Sequence, residues 1–111
     1  MIDGIYHVTF SSNSNDFGEG IVVFKDGAVN GGDHGYLYYG DFTQSAGQLN
    51  SNLTIKQWNS SVQSVFGPKK EFTLVLGGNI SDDKNFMAKG HVAGQSDAQI
   101  TIRGRYLSAA A

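Results

Sequence analysis

Hydrophobic and polar residues alternate with a period of two along most of this chain. Between residues 49 and 56, Leu49, Leu53 and Ile55 fall on one face and mainly polar side chains fall on the other. Alternation of this kind puts one face of a strand on a core and the other in water, which is typical of antiparallel sheets. The pattern predicts strands over residues 5–10, 21–25, 27–31, 36–42, 49–58, 72–76, 86–92 and 100–106.

Clusters of Gly, Asn and Asp separate these strands and supply residues that tolerate a positive φ angle. Other glycines lie inside predicted strands, where they indicate the bends or bulges that close a small sheet into a barrel. Short connections between eight strands therefore favour an all-β fold, an eight-stranded antiparallel up-and-down barrel with little helix, over a sandwich. The glycines inside predicted strands are Gly20, Gly40, Gly90 and Gly104.

The segment from residue 60 to 70 interrupts the alternation and contains the only proline, Pro68. It is predicted to form either a short helical turn or a longer loop. A length of 111 residues fits one domain. We predict that this domain is a barrel over residues 1–107, followed by a flexible C-terminal tail at residues 108–111.

Composition excludes several classes of function. The chain has no cysteine, which excludes disulfide scaffolds and cysteine-type zinc sites. A net charge of −2 gives no electrostatic basis for binding nucleic acid or an anionic membrane. Apolar runs are too short for a membrane helix, and the start MIDGIYHVTF lacks the features of a signal peptide. We therefore expect a cytoplasmic protein that binds neither nucleic acid nor membrane.

The stretch GGDHGYLYYG at residues 31–40 has the composition of a phosphate-binding or metal-binding loop. A phosphate loop needs a following helix or a nearby Lys, and neither is present. Asp33 and His34 are adjacent, so on a strand they would face opposite ways and could not share a metal. The interpretation favoured here is a turn at residues 30–33 with positive φ angles, followed by a strand with an aromatic face.

Catalytic and metal-binding patterns are weak throughout the chain. His7, His34 and His91 are scattered and show no spacing typical of metal ligands, although His7 and His91 could meet across a barrel. Asp82 and Asp83 lie in a predicted solvated turn. No G-x-S-x-G motif or plausible Ser/His/Asp set occurs. We therefore predict no catalytic residues, no metal and no cofactor, and we predict that the protein is not an enzyme.

Aromatic side chains are the strongest candidates for a binding site. An eight-stranded barrel is just wide enough to be filled by side chains or to hold one small ligand, so these residues form either a core or a partly polar cavity. The predicted interior set is Tyr6, Phe10, Phe24, Tyr36, Tyr38, Phe42, Phe72, Phe86 and Tyr106. Four apolar residues predicted to face outward could form an interface if they lie together: Leu37, Tyr39, Trp58 and Met87.

Four short motifs occur in order along the chain: DGIY at residues 3–6, GEGI at 18–21, GGD at 31–33 followed by Tyr38 and Gly40, and HVAG at 91–94. With these motifs, the sequence from residue 1 to about 106 resembles the GrlR-type family of type III secretion negative regulators. The resemblance implies a lipocalin-like barrel, a homodimer and direct inhibition of a transcriptional activator.

The family's founding regulator binds its activator through an exposed acidic run in the loop that follows the strand after the GGD motif. The matching segment here, Thr43–Gly47, contains no acid, so no partner-binding residue is assigned. We predict a small non-enzymatic regulator that acts by protein–protein interaction. The alternative is a lipocalin-like carrier or sensor of a small apolar ligand inside the barrel.

Overall fold

A computed structural model describes residues 3–81 and 84–111 and forms a closed eight-stranded barrel. Each strand pairs antiparallel with the next, and β8 pairs with β1. This confirms the predicted up-and-down barrel, and the described residues contain no helix. The strands are β1 (Gly4–Ser12), β2 (Phe17–Lys25), β3 (Ala28–Gly32), β4 (Tyr36–Ser45), β5 (Gln48–Gln57), β6 (Glu71–Ile80), β7 (Asn85–Val92) and β8 (Gln95–Ser108).

Most strands extend beyond their predicted limits. For example, β2 begins at Phe17, four residues before the predicted start at residue 21, because Phe17–Gly20 pairs with residues 8–11 of β1. Backbone hydrogen bonds continue where glycine and polar residues end the apolar alternation, so the side-chain pattern underestimates strand length. Similarly, β8 extends to Ser108, one residue into the predicted tail.

Aromatic rings fill one end of the barrel, which we call the base, where β1 begins and β8 ends. Tyr6 is fully buried, and its ring centroid lies 5.3 Å from that of Phe24, 5.7 Å from Phe86 and 5.5 Å from Tyr106. Phe42 adds a further edge-to-face contact with Phe24 at 4.8 Å. Edge-to-face pairs of this kind contribute about 0.5–1.5 kcal/mol each beyond the area they bury. The base is therefore filled by a connected cluster of aromatic rings.

The predicted turn at residues 30–33 is wrong in detail. Gly31 and Gly32 belong to β3, and neither has a positive φ angle. A Cβ atom on Gly31 would overlap the carbonyl oxygen of Ile21 on β2, so close strand approach requires glycine there. The chain reverses one step later, at residues 33–35, where Asp33 closes the turn with its side chain.

At Gly40 the structure shows no bulge. The register of β4 with β5 is regular through Gly40, and the two register shifts of the described barrel lie at Ile5/Tyr6 and His91/Val92. A Cβ atom on Gly40 would overlap the carbonyl oxygen of Asn52. Gly40 therefore permits a close approach between two strands rather than marking a bulge.

The segment Thr43–Gly47 is mostly strand, which corrects its assignment as a loop. Its first three residues pair with β5, and only Ala46 and Gly47 form the turn, with φ angles of 52° and 80°. Positive φ at both central residues is the requirement of a type I′ hairpin. By contrast, residues 58–70 form a long loop with an isolated bridge between Ser64 and Gly67, so the loop alternative holds there.

Candidate functional site

An internal cavity of ≈ 270 Å³ lies between the aromatic base and the opposite end of the barrel. We call that opposite end the mouth; β4 begins there and β5 ends there. All nine predicted interior aromatics belong to the core: six are buried, while Phe10, Phe72 and Tyr106 are partly buried against it. The six that line the cavity are Phe10, Phe24, Tyr36, Tyr38, Phe72 and Phe86. The other three, Tyr6, Phe42 and Tyr106, do not line it.

Aliphatic side chains from β5 to β8 complete the wall. They were absent from the predicted site, although their same-face alternation in β5, β6 and β8 was visible in the sequence. The main members are Leu49, Leu53, Ile55, Leu74, Leu76, Ala88, Ile100 and Ile102.

The loop over residues 58–70, which we call the mouth loop, crosses the mouth and contributes residues 62–66 to the cavity wall. The Gln57 side chain donates from Nε2 to the carbonyl oxygen of Val62 at 2.7 Å, and the Tyr36 hydroxyl donates to the carbonyl of Lys69. The Phe66 ring packs edge-on against Phe72 with centroids 5.8 Å apart. The loop is thus attached to the barrel by both polar and aromatic contacts.

Asp33 organises the rim of the mouth. Its Oδ1 accepts hydrogen bonds from the backbone N–H groups of Gly35 and Tyr36, each at 2.8 Å, and its Oδ2 accepts one from the Tyr38 hydroxyl. The Trp58 indole N–H donates to the backbone carbonyl oxygen of Asp33 at 3.1 Å. Burial raises the pKa of Tyr38 far above its usual range, and the hydrogen bond from Tyr38 to Asp33 and the Asp33 charge raise it further. The hydroxyl therefore stays protonated and keeps donating to the carboxylate.

The three histidines do not converge. His7 lies on the outside of β1, where its Nε2 is 3.0 Å from Glu19 Oε1, and His91 lies on the outside of β7. His34 is exposed at the mouth and contributes to the cavity rim. Among residues 3–81 and 84–111, no group of three or more potential ligands could hold a metal ion. The predicted Asp82–Asp83 turn lies outside the described residues.

The predicted interface residues separate into two locations. Leu37 and Tyr39 are neighbours on the outside of β4, with exposed fractions of 46% and 40%, and Trp58 lies near them beside the mouth. Met87 is half-buried on β7, between Asn79 and Arg103 in register, and is separated from β4 by β5 and β6. The structure thus brings three of the four together and places Met87 elsewhere.

Leu37 and Tyr39 extend a larger apolar surface across β1 to β4. In register, Ile21 is followed by Gly32 and then Leu37 across three adjacent strands. Two residues further along β2, toward the base, Val23 is followed across the same strands by Asn30 and then Tyr39. The small residues of β3 leave the larger side chains of β2 and β4 prominent. We call this surface the outer apolar face; it comprises Ile5, Ile21, Val23, Leu37, Tyr39 and Trp58.

The described part of the chain contains no helix long and apolar enough to cross a membrane. Comparison with curated proteins finds no match. Among solved structures, a redesigned β-barrel superimposes with a TM-score of 0.70 over 96% of this chain and 91% of that chain, at 11% sequence identity. That likeness concerns the fold alone. The family model described as the T3SS negative regulator GrlR matches residues 1–110. This chain therefore belongs to the GrlR family of negative regulators of type III secretion systems.

Proposed function

We propose that this protein is a non-enzymatic negative regulator of type III secretion that acts in the cytoplasm by binding proteins. Membership of the GrlR family supports the regulatory role. The observation that carries the binding mechanism is the outer apolar face. Ile21, Leu37 and Trp58 are 41%, 46% and 56% exposed on one side of the barrel. A clustered apolar surface of this kind is typical of a protein interaction site.

The closed barrel restricts how a partner can bind. Each strand of the described barrel pairs with a neighbour on both sides, so no strand offers its whole edge to a partner, and only short segments such as Phe17–Gly20 pair on one side alone. Binding through the outer face must therefore use side chains. Charged and titratable residues, including His7, Glu19 and Lys56, flank the apolar rows in register and supply the polar rim that interfaces commonly have.

We assign the outer apolar face first to a second copy of this chain. A twofold dimer interface uses the same surface on both subunits. The outer apolar face, centred on β2 to β4, can therefore form such an interface by itself. The β4–β5 hairpin has no acidic residue between Thr43 and Gly47, so it offers no charge with which to attract a basic activator. The outer apolar face is the stronger candidate for the protein-binding surface.

Changing Tyr39 to aspartate tests this assignment, because it places a charge at the centre of the outer apolar face. Size-exclusion chromatography with light scattering should give a dimer for the parent chain and a monomer for Tyr39→Asp, with little change in melting temperature. Val75→Asp is the matched control, since Val75 lies on β6 with a similar exposed fraction of 39%. A monomeric parent, or a Tyr39→Asp variant that stays dimeric, contradicts the proposal.

The internal cavity supports a second candidate function, which is binding of a small apolar ligand. Its ≈ 270 Å³ volume exceeds the ~150 Å³ of an engineered apolar cavity that binds benzene. Toluene should therefore raise the melting temperature, because a ligand that binds only the folded state stabilises it. No change at saturating toluene counts against this function.

A further inference from the structure

The internal cavity is chemically asymmetric. Its base and middle are lined by aliphatic and aromatic side chains such as Leu74, Leu76 and Ile102, whereas its polar groups, apart from Ser51, concentrate at the mouth. The Asp33 carboxylate lies at the mouth, and no Lys or Arg is among the lining residues; Glu19 also lines the cavity, but its carboxylate contacts His7 on the outside of the barrel. A ligand in this cavity would therefore have an apolar body and a mouth-facing end beside negative charge.

Asp33 lacks a positively charged partner. Glu19 is mostly exposed and has His7 beside it, but no Lys, Arg or His nitrogen of the described residues lies within 4.0 Å of the Asp33 carboxylate. Three hydrogen bonds reach this carboxylate, from the Gly35 and Tyr36 amides and the Tyr38 hydroxyl. A carboxylate has about four acceptor positions, so one position on Oδ2 is available to a further donor.

Among the described residues, the buried part of the cavity offers an anionic ligand no free side-chain donor, while His34 and Gln63 also line the cavity with side chains that are exposed at the mouth. In the described part of the chain, every buried side-chain nitrogen or oxygen already has a hydrogen-bond partner. The amides of Gly35 and Tyr36 and the Tyr38 hydroxyl all donate to Asp33. A ligand carboxylate at this end would lose its hydration and meet a like charge, whereas a ligand ammonium group would gain a charge-assisted hydrogen bond.

The volume limits the ligand to a compact molecule. Scaling from the ~150 Å³ cavity that holds benzene, ≈ 270 Å³ accommodates about ten non-hydrogen atoms. This is the size of a single aromatic ring with a short side chain. The chain of a long-chain lipid would extend beyond this volume.

We propose that the internal cavity binds small apolar amines, with the hydrocarbon body among the aliphatic and aromatic wall residues and the ammonium group beside Asp33. The proposal rests on the second candidate function, ligand binding inside the barrel, and adds to it a chemical class and an orientation. Asp33 is the specificity-determining residue, because its uncompensated charge distinguishes an amine from an acid of similar size.

A probe series of similar size tests the ligand class: phenethylamine, phenethyl alcohol and hydrocinnamate, titrated at neutral pH into the full chain. Methyl NMR should show phenethylamine shifting the signals of Leu53, Leu74 and Ile102 inside the cavity, but not those of Ile21 and Leu37 on the outer apolar face. Phenethylamine should bind about tenfold or more tightly than phenethyl alcohol, and hydrocinnamate should bind most weakly.

The change Asp33→Asn tests the orientation, since an amide oxygen can still accept from the Gly35 and Tyr36 N–H groups. In this variant the ratio of the dissociation constants of phenethyl alcohol and phenethylamine should fall to near one. The control is Asp41→Asn, an exposed change outside the cavity, which should leave that ratio as it is in the parent chain. Should Asp33→Asn fail to fold, the probe series on the parent chain still decides the ligand class.

Three outcomes overturn the proposal and can be told apart. Hydrocinnamate that binds as tightly as phenethylamine, with the same cavity methyl shifts, removes the amine preference but leaves ligand binding in the cavity intact. A preference unchanged in Asp33→Asn removes Asp33 as its cause. Cavity methyl signals that respond to none of the probes remove both the proposal and the ligand-binding function on which it rests.

Discussion

Replacing Gly40 with valine is expected to lower the free energy of unfolding by about 3 kcal/mol, through overlap between adjacent strands. A Cβ atom at this position would overlap the carbonyl oxygen of Asn52. That oxygen belongs to the backbone of β5, so it cannot move aside without disturbing the β4–β5 pairing. Urea denaturation monitored by circular dichroism measures the loss.

Gly77→Val is the control for Gly40→Val. Gly77 also lies inside a strand, but a Cβ atom there has only an ordinary contact, with Asn50 Oδ1 at 3.6 Å. Valine is favoured in strands, so Gly77→Val should change the stability by less than about 0.5 kcal/mol or increase it slightly. Equal losses in the two variants would show that close strand approach at Gly40 is not the cause.

Replacing Tyr6 with alanine is expected to lower the free energy of unfolding by about 3–5 kcal/mol, as for other large buried aromatics. Tyr6 is fully buried and contacts the rings of Phe24, Phe86 and Tyr106 at the base. Its removal leaves a cavity that these rings cannot fill without breaking their own edge-to-face contacts. The change in denaturation midpoint measures the loss.

Tyr6→Phe separates the ring from its hydroxyl. Because the ring contacts at the base are retained, Tyr6→Phe should keep most of the stability that Tyr6→Ala loses. A Tyr6→Ala variant within about 1 kcal/mol of the parent would mean that the aromatic base contributes little to the stability of the barrel.

The strand pattern could be predicted from the sequence because side chains alternate between two environments. Tyr36, Tyr38 and Phe42 share a face in the sequence and are all buried in the barrel. The close approaches at Gly31 and Gly40 could not be predicted, since they depend on which carbonyl of the neighbouring strand lies opposite. A glycine gives the same local signal whether it permits a turn or a close contact.

The site was less predictable than the fold. The mouth loop has no periodicity that would place Val65 or Phe66 over the cavity, and only long-range contacts bring them there. Likewise, Ile21 and Leu37 are distant in sequence and become neighbours only through the register of β2, β3 and β4. Asp33 was predicted as a turn residue, but its contact with the Tyr38 hydroxyl depends on the side-chain geometry of the folded barrel.

The most direct test of the account measures repression through the outer apolar face. In a bacterium whose type III secretion genes drive a reporter, the parent chain and the control Val75→Asp should lower the reporter signal. The variant Tyr39→Asp, at equal abundance, should leave the signal at its unrepressed level. Repression by Tyr39→Asp equal to that of the parent chain would contradict the claim that regulation depends on this face.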